Sequence, residues 1–444
     1  MTEKILQLVE EKKWKEVQEE ISLIKPVNIA DLFNELPENE VLILFRILPK
    51  DIAADVFSYL TSEEQLIIVH GITDSELKYI MDELFFDDMI DILEEMPSNL
   101  VKEILKNTKE EERRLINEFL KYPEYSAGSL MTIEYVEFKK KMTVKEAMTT
   151  IKKTGIDKET IYTCYITDAN RKLEGIVSLR NLVTSDLDRT IEDIMDTDVI
   201  KVHTHDDQEV VAHLFKKYDF IAIPVVDKEN RLVGIITIDD IVDVIEQEST
   251  EDFQKMAAMQ PSEVEYLRTS VFSLSKQRII WLLVLMISAT FTGNIIHRFE
   301  SVLESVVILA AFIPMLMDTG GNAGAQSSTL IIRGMALGEI QTRDYLKIMA
   351  KELKVSTLVG IVLALVNALR IFLFQQADIL IIITVSITLF ITVVIAKLIG
   401  CILPIGAQKL KLDPAMMASP LITTIVDASA LIVYFTLASV LLEL

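Results

Sequence analysis

The chain has 444 residues, half of them hydrophobic and a quarter charged, and a formal net charge of −23. Residues 277–444 hold 11 Lys plus Arg against 10 Asp plus Glu, so the first 276 hold 33 against 57, a net of −24. Such a field repels nucleic acid and attracts cations, and Cys164 and Cys401, one in each half, argue against a disulfide framework.

An acidic part is therefore joined to a nearly neutral hydrophobic one, with room for two or three domains at roughly 150 residues each. The opening "MTEKILQLVEEKKWKEVQEE" lacks the apolar core of a signal peptide, so the acidic part is expected in the cytosol. Residues 1–127 read as helix with an internal period of 24: Leu32, Val56 and Ile80; Phe33, Phe57 and Met81; Leu36, Leu60 and Leu84. A half-step series, Leu48, Ile72 and Met96, repeats at the same distance. This predicts paired short helices stacked as a superhelix, each repeat covering its neighbour's apolar face; an ordinary amphipathic bundle is the plainer alternative.

A second repeat occupies 128–246. "ITDANRKLEGIVSLRNLV" (166–183) matches "VVDKENRLVGIITIDDIV" (225–242) at an offset of 59. Each copy reads as a strand ending in Asp, a turn, a β-branched strand and a helix start. Residues 247–277 form a linking region whose helix begins near 239. Within it "TIDDIVDVIEQESTEDF" sets Asp240 beside Asp243 and Glu248 beside Asp252 at helical spacing, where like charges repel. Alone, that run reads as a solvated acidic face.

Residues 278–444 hold five hydrophobic segments, near 279–297, 305–332, 355–377, 379–405 and 415–442, each able to cross a bilayer. Arg333, Arg343, Lys347, Lys351, Lys354, Lys409 and Lys411 cluster beside two of the loops. The positive-inside rule puts these loops in the cytosol, with the N-terminus inside and the C-terminus outside. In the second segment, "PMLMDTGGNAGAQSS" (314–328), Pro314, Gly320, Gly321 and Gly324 predict an interrupted helix. Irregular backbone at that depth survives only against protein or a wet cavity. A close helix-packing seam is the alternative use of small residues. Asn322 and Gln326 add polar groups one turn apart. The last segment carries one carboxylate, Asp427, between Ala415 and Leu442. A charge at that depth costs roughly 2.5–3.5 kcal/mol even on the lenient insertion scale.

The repeat at 128–246 resembles a tandem pair of CBS domains. That resemblance implies adenosine-nucleotide binding through a Gly-h-x-[Ser/Thr]-x-x-Asp element, met by Gly234, Thr237 and Asp240 in the second copy. The first copy offers Ser178 but has Asn181 in place of the Asp, and Phe220 joins the nucleotide candidates. The whole chain resembles the MgtE family of magnesium channels and transporters. "GGNAGAQSSTLIIRG" together with "LDPAMMASPLITTIVDASAL" carries the match. What the resemblance implies is a multidomain α-helical membrane protein: an N-terminal α-superhelix, tandem α+β CBS domains, a linking plug helix and five transmembrane helices. It implies a homodimer in the cell membrane whose second and fifth spans line one pore, with Mg²⁺ as both substrate and regulator and ATP as a further ligand. Asp427 then holds the ion, beside a backbone carbonyl at Thr423. Gly320, Gly321, Asn322, Gly324 and Gln326 are pore-lining candidates, with Ser419 where an Asn is common. Regulatory magnesium contacts fall on Asp55, Asp87 and Asp91, on Asp207, Glu209 and Asp219, on Asp240, Asp243, Glu248, Glu251 and Asp252, and on Asp413. Asp55 stands where the family can have Glu.

Magnesium suits this site, because Mg²⁺ keeps several waters and binds through one or two carboxylates. No Cys or His lies beside Asp427, which argues against a soft metal site. A broader divalent-cation transporter is the nearer alternative. An intramembrane aspartyl protease pairing Asp318 with Asp427 is remote, since neither lies in a Gly-x-Gly-Asp element. A nucleotide-sensing CBS scaffold on a passive anchor leaves Asp427 without a purpose.

Overall fold

A computed structural model describes residues 2–262, 266, 269–375, 377–417 and 419–443; the side chain of Ser419 lies outside the described residues. The chain divides into two compact units, Met1–Ile245 and Glu246–Leu444.

The first unit begins with ten short helices: α1 (Thr2–Glu10), α2 (Trp14–Ile21), α3 (Pro26–Phe33), α4 (Glu38–Ile47), α5 (Lys50–Ser58), α6 (Ser62–Gly71), α7 (Asp74–Glu83), α8 (Phe86–Glu95), α9 (Ser98–Asn107) and α10 (Glu110–Phe119). From α2 onward the starts are evenly spaced, from Trp14, Pro26 and Glu38 through to Ser98 and Glu110. The period seen in the sequence is therefore one pair of helices, and the half-step series marks the second member of each pair. Neighbours in the stack are α3 with α5, α4 with α6, and α5 with α7. Leu32, Val56 and Ile80 are buried at equivalent places, as are Phe33, Phe57 and Met81. The helix starts follow local rules. Thr73 caps α7 by accepting from the Glu76 N–H while the Glu76 carboxylate accepts from the Thr73 N–H at 2.8 Å. Pro26 fills the first position of α3, where a missing N–H loses nothing.

The paired domains follow, each with a three-stranded sheet. In the first, β1 (Glu137–Phe138) runs parallel to β2 (Thr163–Thr167), which pairs antiparallel with β3 (Leu173–Ser178); α11 (Val144–Thr154) lies between β1 and β2, and α12 (Leu179–Thr184) follows β3. The second repeats this with β4 (Val202–His203), α13 (Gln208–Tyr218), β5 (Ala222–Val226), β6 (Leu232–Thr237) and then α14 (Ile238–Met256). The correspondence between the two copies reaches individual hydrogen bonds. Asp168 Oδ1 accepts from the N–H groups of Asn170 and Lys172, and Asp227 Oδ1 from those of Glu229 and Arg231. Each turn places one residue in the left-handed region, Arg171 at φ 62° and Asn230 at φ 62°. Asn tolerates that conformation better than Arg does.

Helix α14 runs across the boundary between the two units. Beyond it come α15 (Val271–Arg298), the short α16 (Glu300–Ser305), α17 (Ile313–Ala336), α18 (Tyr345–Phe374), α19 (Ile379–Lys409) and α20 (Ser419–Leu441). Among the described residues five helical segments are long and apolar enough to cross a membrane. The expected interruption of the second span is not there. Helix α17 is regular from Ile313 through Gly320, Gly321 and Gly324 to Ala336, and the irregular stretch is a 3-10 segment before it, Val307–Phe312. Pro314 sits in the first turn, where its missing N–H breaks no internal bond. The glycines serve contact instead. A Cβ on Gly320 would meet Val426 at 2.9 Å, one on Gly324 would meet Ile422 at 2.7 Å, and one on Gly400 would meet the Gly324 carbonyl oxygen at 2.3 Å. Helices α17, α19 and α20 thus touch backbone to side chain and, at 324 and 400, backbone to backbone.

Candidate functional site

Within the second unit, Asp427 lies at the middle of α20, half-buried. Its Oδ1 is sealed from solvent and has no hydrogen-bond donor among the described residues. Asp318 of α17 is near enough for the two carboxylates to repel. The Asn322 side chain donates to Asp318 Oδ1 at 3.1 Å. Asp318, Asn322 and Gln326 follow one another at four-residue steps along α17, and the Asn322–Asp318 bond is exposed, so one stripe of α17 is polar and uncovered within a single chain. Gly320, Gly321 and Gly324 are buried on the other side, in the seam with α19 and α20. Thr423, one turn before Asp427, packs over Gly321: a Cβ there would lie 3.0 Å from Thr423 Cγ2. An orphan carboxylate oxygen, a second acid and a stripe of amide oxygens make a cation-attracting surface.

A second acidic group forms within the first unit. Asp87, at the start of α8, is 8% exposed, and its Oδ1 has no partner among the described residues. One carboxylate oxygen each from Asp87, Glu134 and Glu159 lie within 4.8 Å of one another. The Glu159 N–H donates to the Glu134 carbonyl at 2.9 Å, and the Phe86 N–H reaches Glu134 Oε2 at 3.4 Å. Asp240 faces the same group, its Oδ2 accepting from the Thr237 hydroxyl at 2.9 Å. Burial first, and then Asp240, push the Asp87 carboxyl up to about 9. Burial and Asp239 push Glu159 and Asp240 each to about 7. Asp88 and Glu134 are raised as well, mainly by burial. Asp55 is exposed but adds its field to Asp88, while Asp91 lies one turn beyond Asp87 on an exposed position.

Asp207 and Asp219 occupy the two ends of α13. Asp207 caps the start, accepting from the Glu209 N–H at 2.9 Å, and Asp219 ends it in the left-handed region at φ 54°. An 11-residue helix is about 16 Å long, so these two carboxylates cannot share an ion within one chain. Asp243 is exposed and Glu248 half-buried. In the second unit, Lys255 of α14 reaches Glu251 at 2.5 Å and Asp413 at 2.6 Å. Asp413 Oδ1 also accepts from the Ala415 N–H at 2.8 Å. Burial and then Asp413 raise the neighbouring Asp252 carboxyl, whereas the two bonded acids hold the Lys255 ammonium well above its usual range.

The nucleotide candidates are partly engaged. Ser178 caps α12 by accepting from the Asn181 N–H at 3.1 Å, Thr237 is buried, and Phe220 stacks on Tyr218 with ring centres 5.4 Å apart. Sequence reasoning missed Glu134, Glu159, Asp88, Asp239 and Lys255. The two glutamates lie in connecting segments with no periodic signal, and Lys255 is a lone base in an acidic helix.

Comparison with known proteins agrees along the whole chain. The family described as "Divalent cation transporter" matches residues 313–437, the MgtE intracellular N domain matches 24–125, and CBS domains match 127–188 and 191–247. The magnesium transporter MgtE of Thermus thermophilus is 37% identical over 432 residues, 96% of this chain and 95% of its own. That of Bacillus subtilis is 33% identical over 98% of this chain and 96% of its own. A crystal structure of the cytosolic domain of the Mg²⁺ channel MgtE in complex with ATP superposes with a TM-score of 0.53 at 34% identity, covering 55% of this chain and all of that one. The soluble part of a magnesium transporter gives 0.51 at 31%, covering 56% of this chain and 98% of that one. Carried by matching repeats, spans and near-complete coverage of its relatives, the chain belongs to the MgtE family.

Proposed function

We propose that this chain carries Mg²⁺ across a cell membrane through a path lined by α17 and α20, with Asp427 as the ion-binding carboxylate. The observation that carries the reading is the Asp427 Oδ1, sealed at mid-helix without a donor among the described residues. A buried, unpaired carboxylate is costly unless a cation completes it. The uncovered stripe of Asp318, Asn322 and Gln326 supports a homodimer. Facing lipid it would be unfavourable, and facing a second copy it can border water. Thr423 contributes its backbone carbonyl at the narrow part. An inside-negative potential drives influx, since a divalent ion gains about 4.6 kcal/mol per 100 mV, twice the single-charge value. The basic loops orient the chain with its N-terminus cytosolic and its C-terminus outside. The MgtE family is one of transporters, so the protein is no enzyme and Asp318 with Asp427 is no protease dyad.

Four segments divide the labour: a superhelix at 1–127, a CBS pair at 128–246, a linking region at 247–277 and the pore domain at 278–444. Cytosolic Mg²⁺ binds the acidic groups along α8 and α14 and near Asp413. The state in which those carboxylates share ions is favoured, and the pore closes by a shift of populations. Asp207, Glu209 and Asp219 serve separate ions at the two ends of α13. The ATP held by the relative's cytosolic domain supports an adenine nucleotide on the CBS pair here.

Magnesium uptake in a transport-deficient cell tests the pore. Asp427→Ala, present in the membrane at wild-type level, abolishes uptake; undiminished uptake would remove Asp427 from the path. Running the same assay with Co²⁺ and Mn²⁺ decides between a magnesium-selective path and a broader one. For gating, the combined Asp240→Asn, Asp243→Asn, Glu251→Gln and Asp252→Asn variant stays open at Mg²⁺ concentrations that close the parent. Wild-type closure in that variant would contradict the sensor assignment.

A further inference from the structure

We propose that Lys397, Ser327 and Glu352 form a charge-balanced clamp that sets the position of α17, the helix carrying the polar stripe of the path. They are positioning residues, acting on the ion only through that helix. The inference rests on the reading of α17 and α20 as walls of the path, and it adds the element that holds one wall in register.

Lys397 is the only charged residue between Ile379 and Gln408 of α19, and it is 6% exposed. An ammonium inside a membrane span is costly and persists where it faces the bundle interior and finds a partner. Its Nζ donates to Ser327 Oγ of α17 at 3.3 Å, and that hydroxyl donates to Glu352 Oε2 of α18 at 3.0 Å. Among the described residues Lys397 makes no direct ion pair. An ammonium only donates and a carboxylate only accepts, so the group between them must do both, as a hydroxyl does. Ser327 is buried and Glu352 half-buried. Three spans thus meet through one relay whose two charges cancel.

The relay lies where it governs α17. One turn from each member, on its own helix and towards the basic loops, stand Ile331, Ile348 and Cys401, which share one buried apolar cluster. Gly324 of α17 and Gly400 of α19, three residues from Ser327 and Lys397, touch backbone to backbone. Those contacts fix how closely the helices approach. Apolar contact is non-directional, however, and leaves the rotation of α17 about its axis loosely set. The two hydrogen bonds are directional and specify it. Ser327 follows Gln326 about 100° around the helix. A rotation that takes Ser327 off the relay therefore swings Asn322 and Gln326 with it.

Full-length protein in proteoliposomes is assayed for Mg²⁺ flux over a concentration series, which separates the half-saturating concentration from the maximal rate. Lys397→Met and Glu352→Gln each strand one buried charge, and each raises the half-saturating concentration several-fold. The double variant strands neither and returns it towards the parent value. A scaffold with no positional effect would lower the maximal rate alone, so unchanged half-saturation in both single variants would overturn the proposal. Opposite shifts in the two would overturn it as well, because a bare field on the ion follows the sign of the charge left behind and a displaced helix does not. A double variant as impaired as the singles would deny the coupling. Should the charge variants fail to fold, Ser327→Ala decides, and parent half-saturation there overturns the proposal equally. Asp427→Ala, run alongside, loses flux and separates the two readings. Retained flux in it would remove the path and the clamp's role with it, whereas lost flux beside parent-like clamp variants would overturn the clamp alone.

Discussion

Replacing Gly400 by alanine tests whether the pore helix is held by backbone contact. The added Cβ would sit 2.3 Å from the Gly324 carbonyl oxygen, 3.1 Å from its carbon and 3.3 Å from its Cα. Ordinary contact begins at 3.4 Å, so α17 and α19 must part by about 1.1 Å (3.4 − 2.3) along that line. No side chain can yield, because the obstacle is main chain. Overpacking of this kind costs about 1–3 kcal/mol, and for a domain near 200 residues each kcal/mol lowers the melting temperature by roughly 2–4 °C. Gly293→Ala and Gly406→Ala are internal controls, since a Cβ at either position meets nothing within 4 Å. Thermal unfolding in detergent should therefore separate Gly400→Ala from both controls by several degrees. Mg²⁺ flux in proteoliposomes should fall with it, because α17 carries the polar stripe. Equal melting of all three variants would show that the seam is slack and the reasoning mistaken.

Other consequences can be measured alongside. Asp87, Glu159 and Asp240 have carboxyls raised to about 9, about 7 and about 7, against an unfolded value near 4. The folded state thus binds the extra protons between those limits, and stability is lost as pH rises. In chelator, the melting temperature of the cytosolic transition falls from pH 5 to pH 9, and added Mg²⁺ restores it most at the alkaline end; a flat profile would refute this. Lys255→Met frees Glu251 and Asp413 from their ammonium partner, so Mg²⁺ protection of α14 against limited proteolysis appears at several-fold lower concentration; a shift to higher concentration would contradict competition between Lys255 and the ion. Calorimetry on the full chain should show ATP binding more tightly with Mg²⁺ than without, since a free polyphosphate is repelled by the acidic half. Equal heats and affinities would sink that linkage.

Much of the architecture is legible in the sequence because repetition writes geometry directly. The first periodic series names the buried faces of α3, α5 and α7, and the constant offset between the CBS copies recovers even the paired aspartate turns. Asp427 stands out for a different reason, as a charge where the solvent is lipid. The second span misleads. Glycine and proline signal a break in water, but Pro314 falls in a first turn and the glycines lie where neighbouring helices touch. Glu134 and Glu159 carry no warning at all, being brought together by one main-chain bond between segments on either side of α11. Long-range pairing of that sort has no local signature.

The even beat of the superhelix has a bearing on how this domain can change over generations. Because α2, α3, α4 and α5 each pack on the second helix along, a segment of one helix pair in this stretch is interchangeable with its neighbours. A duplication or loss of one such pair upstream of Ser62 would lengthen or shorten the stack by a whole layer. It would leave α8 meeting the CBS pair through the same face, with Asp87 still presented to Glu134. A gain of a single helix would not, since successive helices belong to different rows of the stack and every later face would be exchanged. The reach of the cytosolic arm can therefore drift in discrete steps while its contact end stays fixed.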